Sequence, residues 1–338
     1  MVKLKGTFWV FFFFSLFFAF ASWGWAQSKP IELSYSIFFP APHKHTVLAG
    51  EWAKEIENRT GGRVKITIFP GGTLTPADKC YDGVEKGISH LGMSVLAYTM
   101  GKFPLTEVID LPLGYKSGLA ATKLINVYYR KFQPAEFSGT KVMYFHAHGP
   151  GLLHTKKPVH KLEDLKGMKI RCTGMAAKIV KALGGVPVAM PMGETYDALN
   201  RGVVDGSMAP QEALQGWKWG EVVKFTTESF GAAYSTAFFV VMNKEKWNSL
   251  PADIQKVIEK VNEEWIETTG KKWDEIDRAG REFTLKLGNK IISLSAAENE
   301  RWAKAVQPIL KDYVERMKAK GLPGEEALQF CGQQLPKL

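Results

Sequence analysis

Cysteine is scarce in this 338-residue chain: Cys80, Cys172 and Cys331 are the whole complement. So sparse and odd a count argues against a disulfide scaffold, and with no CxxC pair there is no structural zinc pattern. A single bridge stays open, with partners that the sequence does not reveal. Dense basic runs are also missing. The formal net charge is +10, but the lysines are interleaved with acids, as in KEIENRTGGRVK. That distribution speaks against a nucleic-acid-binding protein and leaves a mild positive field suited to anionic small molecules. Beyond the N-terminal segment no apolar run is long enough to span a bilayer. There is no GxSxG elbow, no P-loop and no HExxH. Glu194 and Asp205 flank turns and form no acid–base pair. An enzyme acting on a small acid therefore finds no visible nucleophile or positioned acid and base.

What is present begins with an export pattern. Lys3 and Lys5 precede an almost purely apolar run from Phe8 to Phe20, and Gly24-Trp25-Ala26 places small residues where a signal peptidase reads. We expect residues 1–26 to be a signal peptide cleaved after Ala26, which makes the mature chain periplasmic. The competing reading, an uncleaved anchor, meets an apolar core shorter than the roughly 20 residues a spanning helix needs. No Cys directly follows the cut, which argues against a lipid anchor.

The remaining chain could form one large or two ordinary domains, and 45% hydrophobic residues suffice for real cores. Ile31, Leu33, Tyr35 and Ile37 alternate with other residues as a half-buried strand does. Leu48, Trp52 and Ile56 share a helical face that Gly61-Gly62 terminates. RVKITIFP, ISHLGMSVLA and KVMYFHAH (141–148) read as further strands, with a helix through CYDGVEKG. The alternation then recurs: MKIR as strand, Met175 to Leu183 as helix, VPVAMP as strand, ETYDALNRG as helix, and VVDGSMAP as strand and turn. FFVVMN (238–243) is a strongly apolar strand. Two long helical patterns follow, one from Pro251 and one from SAAENERW. This order predicts an α/β protein with largely parallel sheets.

Pockets in such folds open beyond the carboxyl ends of strands. Arg171 stands at the end of MKIR, where a guanidinium can grip a carboxylate with two parallel hydrogen bonds. A surface arginine or an internal salt bridge would occupy the same position. Phe38, Phe39, Tyr98, Trp217, Trp219, Tyr234 and Phe238 fall near strand ends and loops and could wall an apolar pocket or simply fill the core. His43-x-His45 and His146-x-His148 have the i, i+2 spacing that shares a face in strands, but no Cys or acid supports them as metal ligands. Neither a metal nor a cofactor is expected. Cys172 beside Arg171 reads as a small buried filler rather than an activated thiol.

The segments GMKIR, KALGGVPVAMPMGETYDALNRGVVDG, FFVVMNKEKWNSLPADIQKVI and FPGGTL together resemble the extracytoplasmic solute-binding proteins of TRAP (tripartite ATP-independent periplasmic) transporters, of the DctP type. The resemblance covers nearly the whole mature chain. It implies a two-lobed, type II-like periplasmic binding protein fold with a long helix spanning both lobes. Residues 27–149 plus about 237–280 would form lobe I, and 150–236 plus about 281–338 lobe II. It further implies capture of an organic acid and delivery to TRAP membrane permease subunits, by a receptor that works as a monomer. A ligand-loaded sensor partner is the alternative.

In that family the arginine of the MKIR-like motif binds the ligand carboxylate, which maps onto Arg171. The resemblance adds Phe39, Ser94 and Val95, then Met192, Met208 and Ala209. With His148, Trp217, Tyr234 and Phe238 these are the expected ligand-binding positions. Sialic-acid-type members carry a second arginine where this chain has Gly151, Asn where it has Ala209, and an acid where it has Val95. Each replacement removes a polar contact, and an unpaired buried polar group costs about 1–3 kcal/mol. The expected ligand is therefore a monocarboxylate with an apolar or aromatic body: an indole acid, an aryl acid or a branched 2-oxo acid.

Overall fold

A computed structural model describes Val2 and residues 29–338; the signal-peptide reading lies outside the described residues. Among them no helix is long and apolar enough to cross a membrane. The chain builds one sheet and its helices first: β1 (Ile31–Ile37), α1 (Lys44–Arg59), β2 (Val64–Phe69), α2 (Cys80–Glu85), β3 (Leu91–Val95), α3 (Gly118–Phe132) and β4 (Thr140–Ala147). A second sheet follows, from β5 (Leu152–Thr155), β6 (Lys169–Cys172), α4 (Ala176–Ala182), β7 (Val186–Ala189), α5 (Met192–Asn200), β8 (Gly206–Ala209), α6 (Glu212–Gly216) and β9 (Phe225–Glu228). The chain returns through β10 (Ala237–Asn243) and α7 (Lys244–Asn248). It ends with α8 (Ala252–Lys286), β11 (Lys290–Ser293), α9 (Ala296–Ala319) and α10 (Gly324–Gln334).

Neither sheet is purely parallel. The first runs β2-β1-β3-β10-β4 and the second β11-β9-β5-β8-β6-β7. In the first, β10 runs against both neighbours; in the second, β5 runs against both of its own. Connectivity explains the departure from the expected pattern. β4 of one sheet continues almost directly into β5 of the other, and β9 into β10. A strand arriving from the opposite sheet enters against the local direction. The two crossings lie side by side: Gly151 N donates to Tyr234 O at 2.8 Å, and Ser235 Oγ to His148 O at 2.7 Å.

The 35 residues of α8 extend about 52 Å at 1.5 Å per residue. The helix packs on α1, α3 and β4 beside the first sheet and on α6 and β11 beside the second. Two of its acids, one turn apart, cap helices on either side. Asp274 Oδ1 accepts from Gly118 N at 2.6 Å, and Asp277 Oδ1 from Glu212 N at 2.8 Å. These caps satisfy helix-start donors that would otherwise be orphaned. Burial raises the pKa of both carboxyls. The C-terminal α10 packs on α9 and α3.

Candidate functional site

Arg171 sits next to last in β6, between β8 and β7, and is only 2% exposed. Its Nε donates to Met190 O at 2.9 Å, and its guanidinium lies over the Trp219 ring, 5.6 Å from the centroid. Among the described residues no carboxylate forms an ion pair with it, and Nη2 is buried without a hydrogen-bond partner. The internal salt bridge expected of a strand-end arginine is thus absent among the described residues. A buried cation with an unfilled donor is costly, and an anionic partner would offset that cost.

Arg171 lines a narrow cavity of about 30 Å³ between the two sheets. Phe38 and Phe39 follow β1, Val95 ends β3, and Phe238 lies in β10 opposite Val95 and His146. From the second lobe come Thr173 just past β6, Met192 at the start of α5, and Met208 and Ala209 of β8, with Trp217 just past α6; His148, Tyr234 and Thr236 belong to the crossings. The rings are ordered. Phe38 stacks nearly parallel to Trp217 (6.1 Å, 13°) and to Phe238 (6.2 Å, 13°), and Trp273 of α8 lies 5.2 Å from Phe238. The Tyr98 hydroxyl accepts from Met192 N at 3.1 Å across the gap. Burial raises the Tyr98 pKa, with Arg171 opposing.

His148 is held neutral. Burial, helped by the neighbouring Arg171, pulls its pKa down to about 4. Its Nδ1 stands 2.5 Å from Gly149 O. An accepting carbonyl there requires the proton on Nδ1 and leaves Nε2 a bare acceptor. Gly151 faces Tyr234 so closely that an added Cβ would lie 2.2 Å from the ring. Tyr234 is itself tied down by donating to Met208 O at 3.1 Å. The room that a second arginine would need at position 151 is filled by a tyrosine ring.

Ten of the eleven expected positions (Arg171, Phe39, Val95, His148, Met192, Met208, Ala209, Trp217, Tyr234 and Phe238) meet at this cavity. Ser94 does not: its hydroxyl donates to Ala77 O at 2.7 Å, because strand alternation turns it to the opposite face from Val95. His43 and His45 are not on a strand. His43 precedes α1 and caps it, and His45 lies within the helix, stacked on His146 at 5.3 Å. Among the described residues no three His, Cys, Asp or Glu converge to hold a metal. All three cysteines are free and buried, and burial raises Cys172 to about 11, as suits a filler. Sequence reasoning missed Thr173, Thr236, Trp273 and Glu212 at the cavity. Glu212 could have been found from its place just past the carboxyl end of β8.

Residues 39–317 match the family of bacterial extracellular solute-binding proteins, family 7. The chain belongs to that family. It is similar to the C4-dicarboxylate-binding periplasmic protein DctP of Rhodobacter capsulatus, 26% identical over 314 residues covering 89% of this chain and 92% of the relative. Its structure is similar to that of a TRAP periplasmic solute-binding protein from Desulfovibrio salexigens, at 36% identity and a TM-score of 0.81 over 91% of this chain and 96% of that one. It also resembles a TRAP solute-binding protein of an unidentified marine microbe, specific for aromatic acid ligands and bound to metahydroxyphenylacetate. There the identity is 28% and the TM-score 0.87, over 91% of this chain and 99% of that one. The two-lobed α/β fold of these receptors is the fold described above. Members of the family are periplasmic, bind small organic acids and work with membrane permease subunits. They are receptors rather than enzymes, which removes the enzymatic alternative for this chain.

Proposed function

We propose that this receptor captures a monocarboxylate with an aromatic or apolar body, gripping its carboxylate with Arg171. The chain is exported by its N-terminal signal, works as a monomer and hands the acid to TRAP permease subunits. The observation that carries this reading is a buried, unpaired guanidinium at the wall of a cavity otherwise built largely from rings and methionines. Arg171 is the one Lys or Arg lining that cavity among the described residues. The second carboxylate of a dicarboxylate would stand unpaired against apolar walls, and burying an unpaired charge is strongly unfavourable. The ligand of the marine relative, an aryl acid, agrees with these walls better than the C4-dicarboxylate of the Rhodobacter one.

A cavity of about 30 Å³ is only a few times the minimum for one water. Entry of an aryl acid therefore requires the walls to part. The crossings at 148–151 and 229–236, with α8 alongside, are the segments about which lobe I (27–149 with about 237–280) and lobe II would rotate. The test is a thermal-shift screen of the mature protein against a carboxylate library, followed by calorimetry. Aryl monocarboxylates should raise the melting temperature, by an increment that grows with the logarithm of their affinity. A C4-dicarboxylate that binds more tightly than every monocarboxylate would overturn the reading.

A further inference from the structure

Besides Arg171, Glu212 brings a second charged group to the cavity wall. It is 3% exposed and faces a histidine from the other lobe: its Oε1 lies 2.6 Å from His43 Nε2. The tautomer of His43 follows from a separate contact. His43 Nδ1 accepts the backbone N–H of His45 at 3.2 Å as the cap of α1. The cap therefore needs an unprotonated Nδ1 and places the ring proton on Nε2, where it donates to Glu212. The carboxylate is positioned from behind as well, through the bond from Glu212 N to Asp277 of α8. Room for the pair comes from Gly216, where a Cβ would stand 1.9 Å from Glu212 Oε1 and 2.8 Å from His43 Nε2.

No hydrogen bond reaches Glu212 Oε2 among the described residues. Glu212 lines the cavity that holds Arg171 and also an adjoining pocket with His43 and Lys218, so its carboxylate has one committed oxygen and one left to offer a ligand. An all-apolar body would leave that oxygen desolvated and unpaired, at the cost such groups carry. An ammonium would bring three donors to a single free acceptor. One hydroxyl or one ring N–H matches it.

We propose that Glu212, positioned by His43 and Asp277, is a specificity residue that accepts a hydrogen bond from a single neutral donor on the ligand, so that the receptor selects aromatic acids carrying a ring hydroxyl or ring N–H over their plain counterparts. This rests on Arg171 holding the carboxylate end. The donor then reads out polarity on the body of the acid, where the ring walls supply only shape.

Calorimetric titration of the mature protein with phenylacetate, its 3- and 4-hydroxy forms, 3-methoxyphenylacetate and an aminomethyl analogue tests the assignment. The better hydroxy isomer should bind about tenfold or more tightly than phenylacetate, as a hydrogen bond to a charged acceptor implies. The methoxy form, which cannot donate, should show no such gain. In Glu212→Gln the amide oxygen takes the His43 contact and the amide N–H₂ faces the cavity. The hydroxy-to-methoxy affinity ratio should then collapse, a change that general loosening of the site would not produce. Phenylacetate binding with no hydroxyl gain overturns the role of Glu212 and leaves the Arg171 clamp standing. Failure of every acid to bind overturns both. Tightest binding by the aminomethyl analogue overturns the neutral donor, and an unchanged ratio in folded Glu212→Gln overturns the residue. The wild-type comparison decides even if that variant does not fold.

Discussion

The two walls of the cavity are built from different chemistry. The first-sheet wall consists of Phe38, Phe39, Val95 and Phe238, while the second-sheet wall carries Arg171, Glu212, Thr173, Met192 and Met208. One side is rings and a β-branched chain, stiff and apolar; the other holds both charges and two flexible thioethers. The ring wall is supported by a buried stack, with His146 4.6 Å from Phe238 at 13° and Trp273 Nε1 donating to His146 Nδ1 at 3.0 Å. The charged wall hangs on short strands beyond the crossings. On the proposed function, the ring wall would set shape and the charged wall would do the recognising. The Tyr98–Met192 and His43–Glu212 contacts span the gap between the walls.

The comparison breaks first at the cation. Arg171→Ala should weaken aryl-acid binding about a hundredfold or more, the scale for truncating one side of a buried charge pair. Calorimetry checks this on protein whose circular dichroism is unchanged, and tight binding by such a variant sinks the clamp. Arg171→Lys should recover only part, since an ammonium lacks the planar fork.

On the opposite wall, Phe238→Ala should act mainly through stability, at about 3 kcal/mol, as large-to-small core changes do. Urea unfolding measures it. If binding fell as far as in Arg171→Ala with little loss of stability, the division between a shaping and a reading wall would be wrong.

Buried histidines in both sheets and at a crossing predict a pH response. Burial depresses His148 and His154 to about 4 and His146 to about 3, whereas an unfolded imidazole takes its proton near 6.5. Below about 6.5 the unfolded chain thus binds more protons than the folded one. Stability should be fully present above that pH and fall as pH drops towards 4, continuing towards 3 for His146. Urea midpoints at pH 7.5 and 5.0 should differ in that direction, and equal midpoints would show that these rings are not held neutral.

The smallest effect belongs to Ser94→Ala. Losing the bond to Ala77 O should cost about 1 kcal/mol and leave ligand affinity unchanged. A drop in affinity would place Ser94 back in the site.

Much of this was legible in residues alone. The alternation of Leu33, Tyr35 and Ile37 marked β1, and the strand–turn–helix around Arg171 marked a pocket-forming strand end. Other features were not. The run LAATKLINVYYRKF carries the apolar face of α3, with Ala121, Leu124, Ile125 and Tyr128 all buried, yet no helix was read there. Its cap is partly Asp274, 156 positions away. The face of β3 that Ser94 occupies was not legible either: its hydroxyl bonds Ala77 O rather than lining the cavity. Glu212 was passed over because a lone acid after a turn looks solvated until His43, 169 positions earlier, is brought to 2.6 Å.

By itself the sequence determined which segments alternate, where charge stands at a strand end, and the family to which that order belongs. These are local properties, set by side-chain period and by neighbours a few residues apart. The tertiary structure alone decided that β10 and β5 run against their sheets, that Arg171 meets no acid among the described residues, and that a histidine before α1 bonds a carboxylate of α6. Those outcomes depend on burial and on contacts between residues more than a hundred positions apart, which only packing of the two lobes brings together.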